Sequence, residues 1–320
     1  MNLLSVLSIG YIIIALTLIA IFFRDQRKKE YYLGRHRTLA WILISLFSLS
    51  ILTAVYARFI EPWRMVTTKV EIDLNGINDL KIAFITDPQV GNHKRGEWME
   101  KIVERINELK PDLVLLGGDL IDNEGTPPDE AKYLEPLQKL VGHYPIYYVL
   151  GNHEYGVSRK VIKFPKRQTG NRAPEVIKVM EKIGVPLLKN QLDCPEIKGQ
   201  KLCIYGLDDL WGGKPDFHNL NDWGQELPLI FLVHNPDGIL EWPENIKKPD
   251  LVLAGHTHGG QVWLPLIGPG GDAEIDLPDL YYRGLNYYED TPIYTSVGIG
   301  ESGGPFRFMA VPEVALVSIK

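Results

Sequence analysis

The stretch LVLAGHTHGG, residues 251–260, sets two imidazoles, His256 and His258, one residue apart at the end of an apolar run and among glycines. Four other apolar runs end the same way. KIAFITDPQ delivers Asp87 and Gln89, DLVLLGGD delivers Asp119, IYYVLGNHE delivers Asn152, His153 and Glu154, and LIFLVHNPD delivers His234. Each group alone has an ordinary reading, since an aspartate after a strand caps a turn and a histidine there bonds to backbone. Five such endings in one chain are hard to ascribe to coincidence. Together they offer carboxylate, amide and imidazole donors without thiolate, a set that suits manganese, iron or zinc better than an all-oxygen calcium cage. The sequence therefore points to a metal centre.

For these groups to meet, the apolar runs must be strands of a sheet whose carboxyl edge gathers them, the edge where open α/β sheets bind ligands. The adjacent glycines allow sharp turns and close backbone approach. Strands are expected over residues 70–74, 81–86, 113–116, 146–150, 202–205, 229–233 and 251–254. Between them, GEWMEKIVERINELKPD puts Trp98, Ile102, Val103, Ile106 and Leu109 on one helical face before Pro111, and APEVIKVMEKIG does so with Val176, Ile177, Met180 and Ile183 before Gly184. Alternating strands and helices predict an α/β fold, with residues 61–320 as a single domain.

The first 60 residues differ. Residues 1–23 and 38–57 are uncharged apolar runs, each long enough to cross about 30 Å of hydrocarbon as a helix. They predict a two-span membrane anchor. The loop between them, residues 24–37, carries Arg24, Arg27, Lys28, Lys29, Arg35 and Arg37 against Asp25 and Glu30, and short basic loops stay cytoplasmic, which puts the large domain outside the cytoplasm. A cleaved signal peptide would want a basic start, a shorter apolar stretch and a small-residue cleavage site. The chain carries −6 overall while its first 60 residues carry seven basic and two acidic groups, +5, leaving −11 on the remainder. Such a surface repels nucleic acid, which is excluded as a partner.

Cys194 and Cys203 flank a candidate hairpin, CPEIKGQKLC. A two-residue turn at Lys198 and Gly199 would set them opposite each other at a non-hydrogen-bonded position, where side chains approach most closely. A disulfide, favoured outside the cytoplasm, and two buried thiols are both open.

The order Asp-x-Gln, Gly-Asp, Gly-Asn-His-Glu, His, Gly-His-x-His resembles the calcineurin-like metallophosphoesterases over residues 68–320, most specifically in GNHE and GHTHGG. The ending GIGESGGPFRFMAVPEVALVSI, with HNPD, GLDD and the apolar amino terminus, is most similar to the bacterial membrane-associated YkuE/YaeI-like branch. That resemblance implies a four-layer α-β-β-α sandwich of two mixed sheets and two divalent metal ions, manganese first, with iron, zinc or magnesium as alternatives. It implies that Asp119 bridges the ions, with Asp87, Gln89 and His258 completing one set and Asn152, His234 and His256 the other. Catalytic roles would fall to Asp119, Asn152 and His153, the last near the leaving oxygen, while Glu154 orients the loop.

The reaction so implied is hydrolysis of a phosphomonoester, phosphodiester or pyrophosphate near the membrane by a metal-bridging hydroxide. The anchor suggests a lipid-linked substrate. The family usually has histidine where this chain has Gln89, and an amide oxygen is the weaker, uncharged ligand; His93 nearby reads as a surface residue. Two alternatives stand beside this reading: a pyrophosphatase of the UDP-2,3-diacylglucosamine type in lipid A synthesis, which needs a cytoplasmic domain, and a catalytically silent metal-binding module. The segment VSRKVIKFPKRQTGNRAP holds Arg159, Lys160, Lys163, Lys166, Arg167 and Arg172 without an acid, either a solvated loop or a basic lip that draws in anionic substrate or lipid headgroups. Arg159, Lys160 and Arg283 are candidate substrate contacts. Arg283 and Arg307 are equally open to structural ion pairing.

Overall fold

The computed structural model describes residues 37–123, 129–157, 170–270 and 275–320, with four isolated positions between 13 and 20. Helix α1 (Arg37–Phe59) contains the second apolar run and continues through a 3-10 turn at Glu61–Trp63. Residues 44–63 are apolar and long enough to cross a membrane, and little of that stretch is buried by the protein. The first apolar run and the basic loop fall almost wholly outside the described residues, so one candidate span is seen where two were expected.

Among the described residues the domain has fifteen strands: β1 (Val66–Ile72), β2 (Leu80–Ile85), β3 (Leu113–Leu116), β4 (Ile146–Tyr148), β5 (Gln191–Asp193), β6 (Glu196–Ile197), β7 (Gln200–Lys201), β8 (Cys203–Gly206), β9 (Leu229–Leu232), β10 (Leu251–Ala254), β11 (Trp263–Leu264), β12 (Gly268–Pro269), β13 (Gly284–Tyr288), β14 (Thr291–Thr295) and β15 (Glu313–Ile319). Three further helices accompany them: α2 (Gly96–Leu109), α3 (Asn152–Tyr155) and α4 (Ala173–Ile183). One sheet runs β1-β15-β2-β3-β4, antiparallel only where β15 meets β2. The other runs β13-β14-β10-β9-β8-β5, with a parallel centre and antiparallel edge pairs. Both sheets are mixed.

Near-continuous apolar runs form the central strands because both faces of each sheet are covered. Between the sheets, Ile82, Phe84, Leu113 and Leu115 pack against Ile204, Ile230, Leu232, Leu251 and Leu253. On the outer face of the first sheet, Ala83, Ile85, Val114 and Leu116 meet Trp98, Met99, Ile102 and Ile106 of α2, Leu134 and Leu137 of a 3-10 segment, and Val176 and Met180 of α4. The outer face of the second sheet departs from the expected α layer. Leu220, Trp223, Ile239, Trp242 and Tyr281, on short 3-10 turns and loops, cover it. Pro215, Pro228, Pro236, Pro243 and Pro249 interrupt the two connections concerned, and proline removes the amide donors that a helix interior needs.

The cysteine hairpin forms as the pattern allows. Glu196 pairs with Lys201 and Ile197 with Gln200, Lys198 and Gly199 turn the chain with positive φ, and Cys194 and Cys203 are joined by a disulfide.

Candidate metal centre

Strands β2, β3, β9 and β10 lie in register in two facing sheets and end together. Asp87, Gln89, Asp119, His234, His256 and His258 follow those ends by two to four residues, and Asn152 and His153 open α3 after β4. All are buried except His256, which is half-buried. Five of the seven candidate ligands, Asp87, Gln89, Asp119, His256 and His258, hold φ between 40° and 70°. A side chain in that region costs roughly 1–2 kcal/mol, and such strain persists only where surrounding structure enforces it. Glycine is required beside them: a Cβ at Gly151 would stand 2.3 Å from Asp119 Oδ1, and one at Gly255 2.1 Å from Thr86 Oγ1 and 2.5 Å from Asp87 Oδ2.

Asp119 sits in the middle. Its Oδ1 accepts the His153 amide (2.8 Å), while its Oδ2 lies 3.2 Å from His234 Nε2, 3.4 Å from Gln89 Nε2 and 3.8 Å from His153 Nε2. On one side, His234 Nε2 is 3.3 Å from Asn152 Oδ1 and 3.2 Å from His256 Nδ1. Two local bonds fix these orientations. His234 Nδ1 donates to the Gly117 carbonyl (2.8 Å), leaving Nε2 to face inward, and Asn152 Nδ2 donates to the Val157 carbonyl (2.8 Å), turning Oδ1 inward. One ligand atom each from Asp119, His234 and His256 lies within 4.8 Å of the others.

On the other side, Asp87 Oδ2 is satisfied by Thr86 Oγ1 (2.8 Å) and the His256 amide (3.0 Å), whereas Asp87 Oδ1 and Gln89 Oε1 are buried without a hydrogen-bond donor. His258 Nε2 faces Asp87 Oδ1 at 3.5 Å, an arrangement that a cation or a shared proton satisfies. Buried oxygens without donors are costly. Anionic and amide oxygens with no donor, set beside imidazole nitrogens, are the chemistry of a divalent-cation site, and the residues present around Asp119 fit such a site.

The electrostatics agree. Burial works against ionised Asp119, but His234 and His153 more than offset it and hold the carboxyl well below its ordinary range. Burial likewise opposes a charge on His234, and the Asp119 carboxylate overcomes it, pushing His234 up. Burial raises Asp87 to about 6. Burial, with Arg307 beside it, holds His258 well below the usual imidazole value, so that ring is neutral. The cluster calls for positive charge at its centre.

Supporting groups lock the loops. The Glu154 carboxylate accepts the amides of Gly151 (2.7 Å), Asp119 (3.1 Å) and Ile121 (3.1 Å), tying the β3 and β4 loops together. His153 Nδ1 bonds to the Asp122 carbonyl, so its Nε2 faces Asp119. The pattern of residues missed the backing of His258. Arg307, fully buried, sets its guanidinium 3.2 Å from His258 Nδ1 and donates to the Ala310 carbonyl (2.6 Å), and Glu301 bridges it to buried Lys94. A lone arginine in PFRFMA carries no signal of burial, and the fold makes it structural. Arg283 stacks 3.8 Å over Trp263 and donates to the Met309 carbonyl, at the rim beside Gly259. His93 is exposed. Of the basic segment, Arg172 is engaged by Glu130 (2.9 Å), while Arg159, Lys160, Lys163, Lys166 and Arg167 fall outside the described residues.

Comparison with known proteins agrees with this geometry. The family model described as calcineurin-like phosphoesterase matches residues 80–260. YkuE of Bacillus subtilis, an uncharacterised metallophosphoesterase, is 31% identical over 277 residues, 83% of this chain and 89% of its own. Phosphodiesterase YaeI of Escherichia coli is 28% identical over 82% of this chain and 92% of its own. A transmembrane protein with a metallophosphoesterase domain from Danio rerio is 26% identical over 84% of this chain and 61% of its own.

Proposed function

Because the chain belongs to the calcineurin-like phosphoesterase family and is a hydrolase of phosphoric esters, we propose that it uses two divalent cations, manganese first, to cleave a phosphoester presented at a membrane surface. The observation that carries this reading is the position of Asp119 between two half-sites, one with donorless Asp87 Oδ1 and Gln89 Oε1, the other with His234 Nε2, His256 Nδ1 and Asn152 Oδ1. Asp87, Gln89, Asp119 and His258 would hold one cation, and Asp119, Asn152, His234 and His256 the other. Bound there, such ions supply Lewis acidity toward phosphoryl oxygens and make water acidic enough to act as nucleophile near neutral pH. Gln89, with an uncharged amide oxygen, makes the first set the weaker.

The residues of the chain do the rest. His153 holds its Nδ1 proton against the Asp122 carbonyl, which aims Nε2 into the site; protonated there, Nε2 donates to the departing oxygen, a contribution of ~10²–10⁴ in rate. Asp119, kept ionised by His234 and His153, supplies the central anion. Glu154 keeps the Asp119 and Asn152 loops in fixed relation. The relatives YaeI, named a phosphodiesterase, and the transmembrane fish protein support an ester substrate and a membrane setting.

The apolar α1 supports an anchored enzyme, and the Cys194–Cys203 disulfide supports an extracytoplasmic domain, where such bonds persist. The test is hydrolysis of bis-p-nitrophenyl phosphate by purified full-length protein with and without manganese, with metal analysis. Metal-dependent turnover with about two ions per chain, lost in Asp119→Ala, is expected; no metal-dependent hydrolysis of any phosphoester overturns the reading.

A further inference from the structure

The metal-bearing turn His258–Gly260 runs directly into a hairpin that the chemistry above does not use. Strands β11 and β12 pair Trp263 with Pro269 and Leu264 with Gly268, leaving Pro265, Leu266 and Ile267 as the tip. That tip is apolar and open: Ile267 is 75% exposed and Leu266 fully so. Leu266 moreover sits at φ 68°, a conformation that hairpin loops ordinarily give to glycine or asparagine. A bulky leucine there is strained and gains nothing from the fold. An apolar tip that the fold leaves uncovered suits a partner outside the domain.

The base of the hairpin shows which. Val262 bridges to Phe308, and the Trp263 amide donates to the Phe308 carbonyl (2.7 Å). On the neighbouring residue, the Arg307 amide donates to the Ala57 carbonyl (2.9 Å) in the last turns of α1, and the Ala310 amide donates to Glu61 Oε1 (2.7 Å) just after it. The hairpin therefore springs from the same short segment that clasps the end of the candidate membrane helix. With strand neighbours ~5 Å apart, its base lies within about 10 Å of that helix end. Around this junction stand Phe59, Ile60 and Trp63, all exposed, with Arg64 bonded to Tyr56, and Trp263 under Arg283. Tryptophan, tyrosine and arginine beside apolar side chains are the composition of a membrane–water interface.

We propose that the 263–269 hairpin inserts its Leu264, Leu266 and Ile267 side chains into the bilayer beside α1, so that one rim of the metal centre is seated on the lipid surface. This rests on the reading of α1 as a membrane anchor. The rim is tied to the site by close packing: a Cβ at Gly260 would stand 2.5 Å from Pro269 Cβ, and Arg283 lies against Gly259. The substrate class that follows is a phosphoester whose phosphate lies at headgroup depth, entering without leaving the membrane.

The natural chain has no free cysteine, so a single introduced cysteine takes a fluorophore at one place. Full-length Leu266→Cys and Ile267→Cys proteins, labelled with an environment-sensitive dye, are reconstituted in phosphatidylcholine vesicles with or without brominated acyl chains. Leu46→Cys on α1 reports the anchor, and Glu226→Cys, just before β9 at the opposite sheet edge, reports solvent; retained hydrolysis of bis-p-nitrophenyl phosphate verifies each protein. Insertion to ~5–10 Å predicts quenching at 266 and 267 approaching that at 46, with none at 226. Quenching at 46 without quenching at 266 or 267 overturns the hairpin proposal and leaves the anchor standing. Absence of quenching at 46 overturns both.

Discussion

Replacing Glu154 with glutamine tests whether the metal loops are held by one buried carboxylate. Oε2 accepts the amides of Gly151 and Asp119, and Oε1 accepts that of Ile121. A glutamine can present only one acceptor oxygen. In its better orientation it keeps the two bonds of Oε2 and turns an NH2 toward the Ile121 amide, so one bond is lost and two buried donors face each other. An unsatisfied buried group costs about 1–3 kcal/mol, and burial leaves no solvent to relieve it, because Glu154 is fully enclosed. The same shift moves the Asp119 backbone and the Gly151–Asn152 turn, which carry the candidate ligands Asp119 and Asn152. Loss of a partner that orients ligands typically lowers metal affinity ~10–100-fold. The expected result is a stability loss of about 1–3 kcal/mol in denaturant titration of the metal-free protein, with a rightward shift of the manganese dependence of bis-p-nitrophenyl phosphate hydrolysis. Wild-type stability together with an unchanged manganese profile would refute the argument that this carboxylate clamps the loops.

Three further outcomes follow from the same geometry. Asp119→Ala is expected to lose both metal and turnover, whereas His153→Ala should retain metal and lose ~10²–10⁴ in kcat; a His153→Ala protein devoid of metal would contradict the proton-donor role. Cys194→Ser should lower stability by about 2.5 kcal/mol, the loop-closure entropy for a separation of nine residues, read as a lower midpoint that matches reduced wild type; equal midpoints for oxidised and reduced wild type would exclude that contribution. Burial pulls Lys94 from 10.5 down to about 8 against the attraction of Glu301. Between those values the unfolded chain binds the proton that the folded one has shed, so stability from this group rises with pH across that window and is flat below it. Relative to Lys94→Met, wild type should gain up to about 3 kcal/mol from pH 8 to 10.5, and parallel stability curves for the two would contradict it.

Much of the site was legible because metal chemistry needs specific side chains at specific places after strands. GNHE and GHTH state donor types, the apolar runs before them state strands, and α/β geometry states that such ends converge; periodicity likewise marked α2 and α4 through residues such as Ile102, Ile106, Val176 and Met180. The cysteine hairpin followed from two turn residues and a count of two. The α layer expected over the second sheet did not form, since Trp223, Ile239 and Trp242 cover it from proline-broken turns whose packing leaves no period in the chain.

What the order of residues determined by itself was the inventory: which groups can ligate, which runs are strands, and that a stretch near the amino terminus is apolar enough for a bilayer. Only the tertiary structure decided which oxygens face inward without a donor, that five candidate ligands are held at positive φ, that Arg307 is buried behind His258, and that the hairpin after GHTHGG leaves the fold beside the end of α1. The physical reason is range. Propensity and periodicity act over a few neighbouring residues, while desolvation, strain and hydrogen-bond satisfaction at this centre depend on groups brought together from positions as far apart as Asp87 and His256.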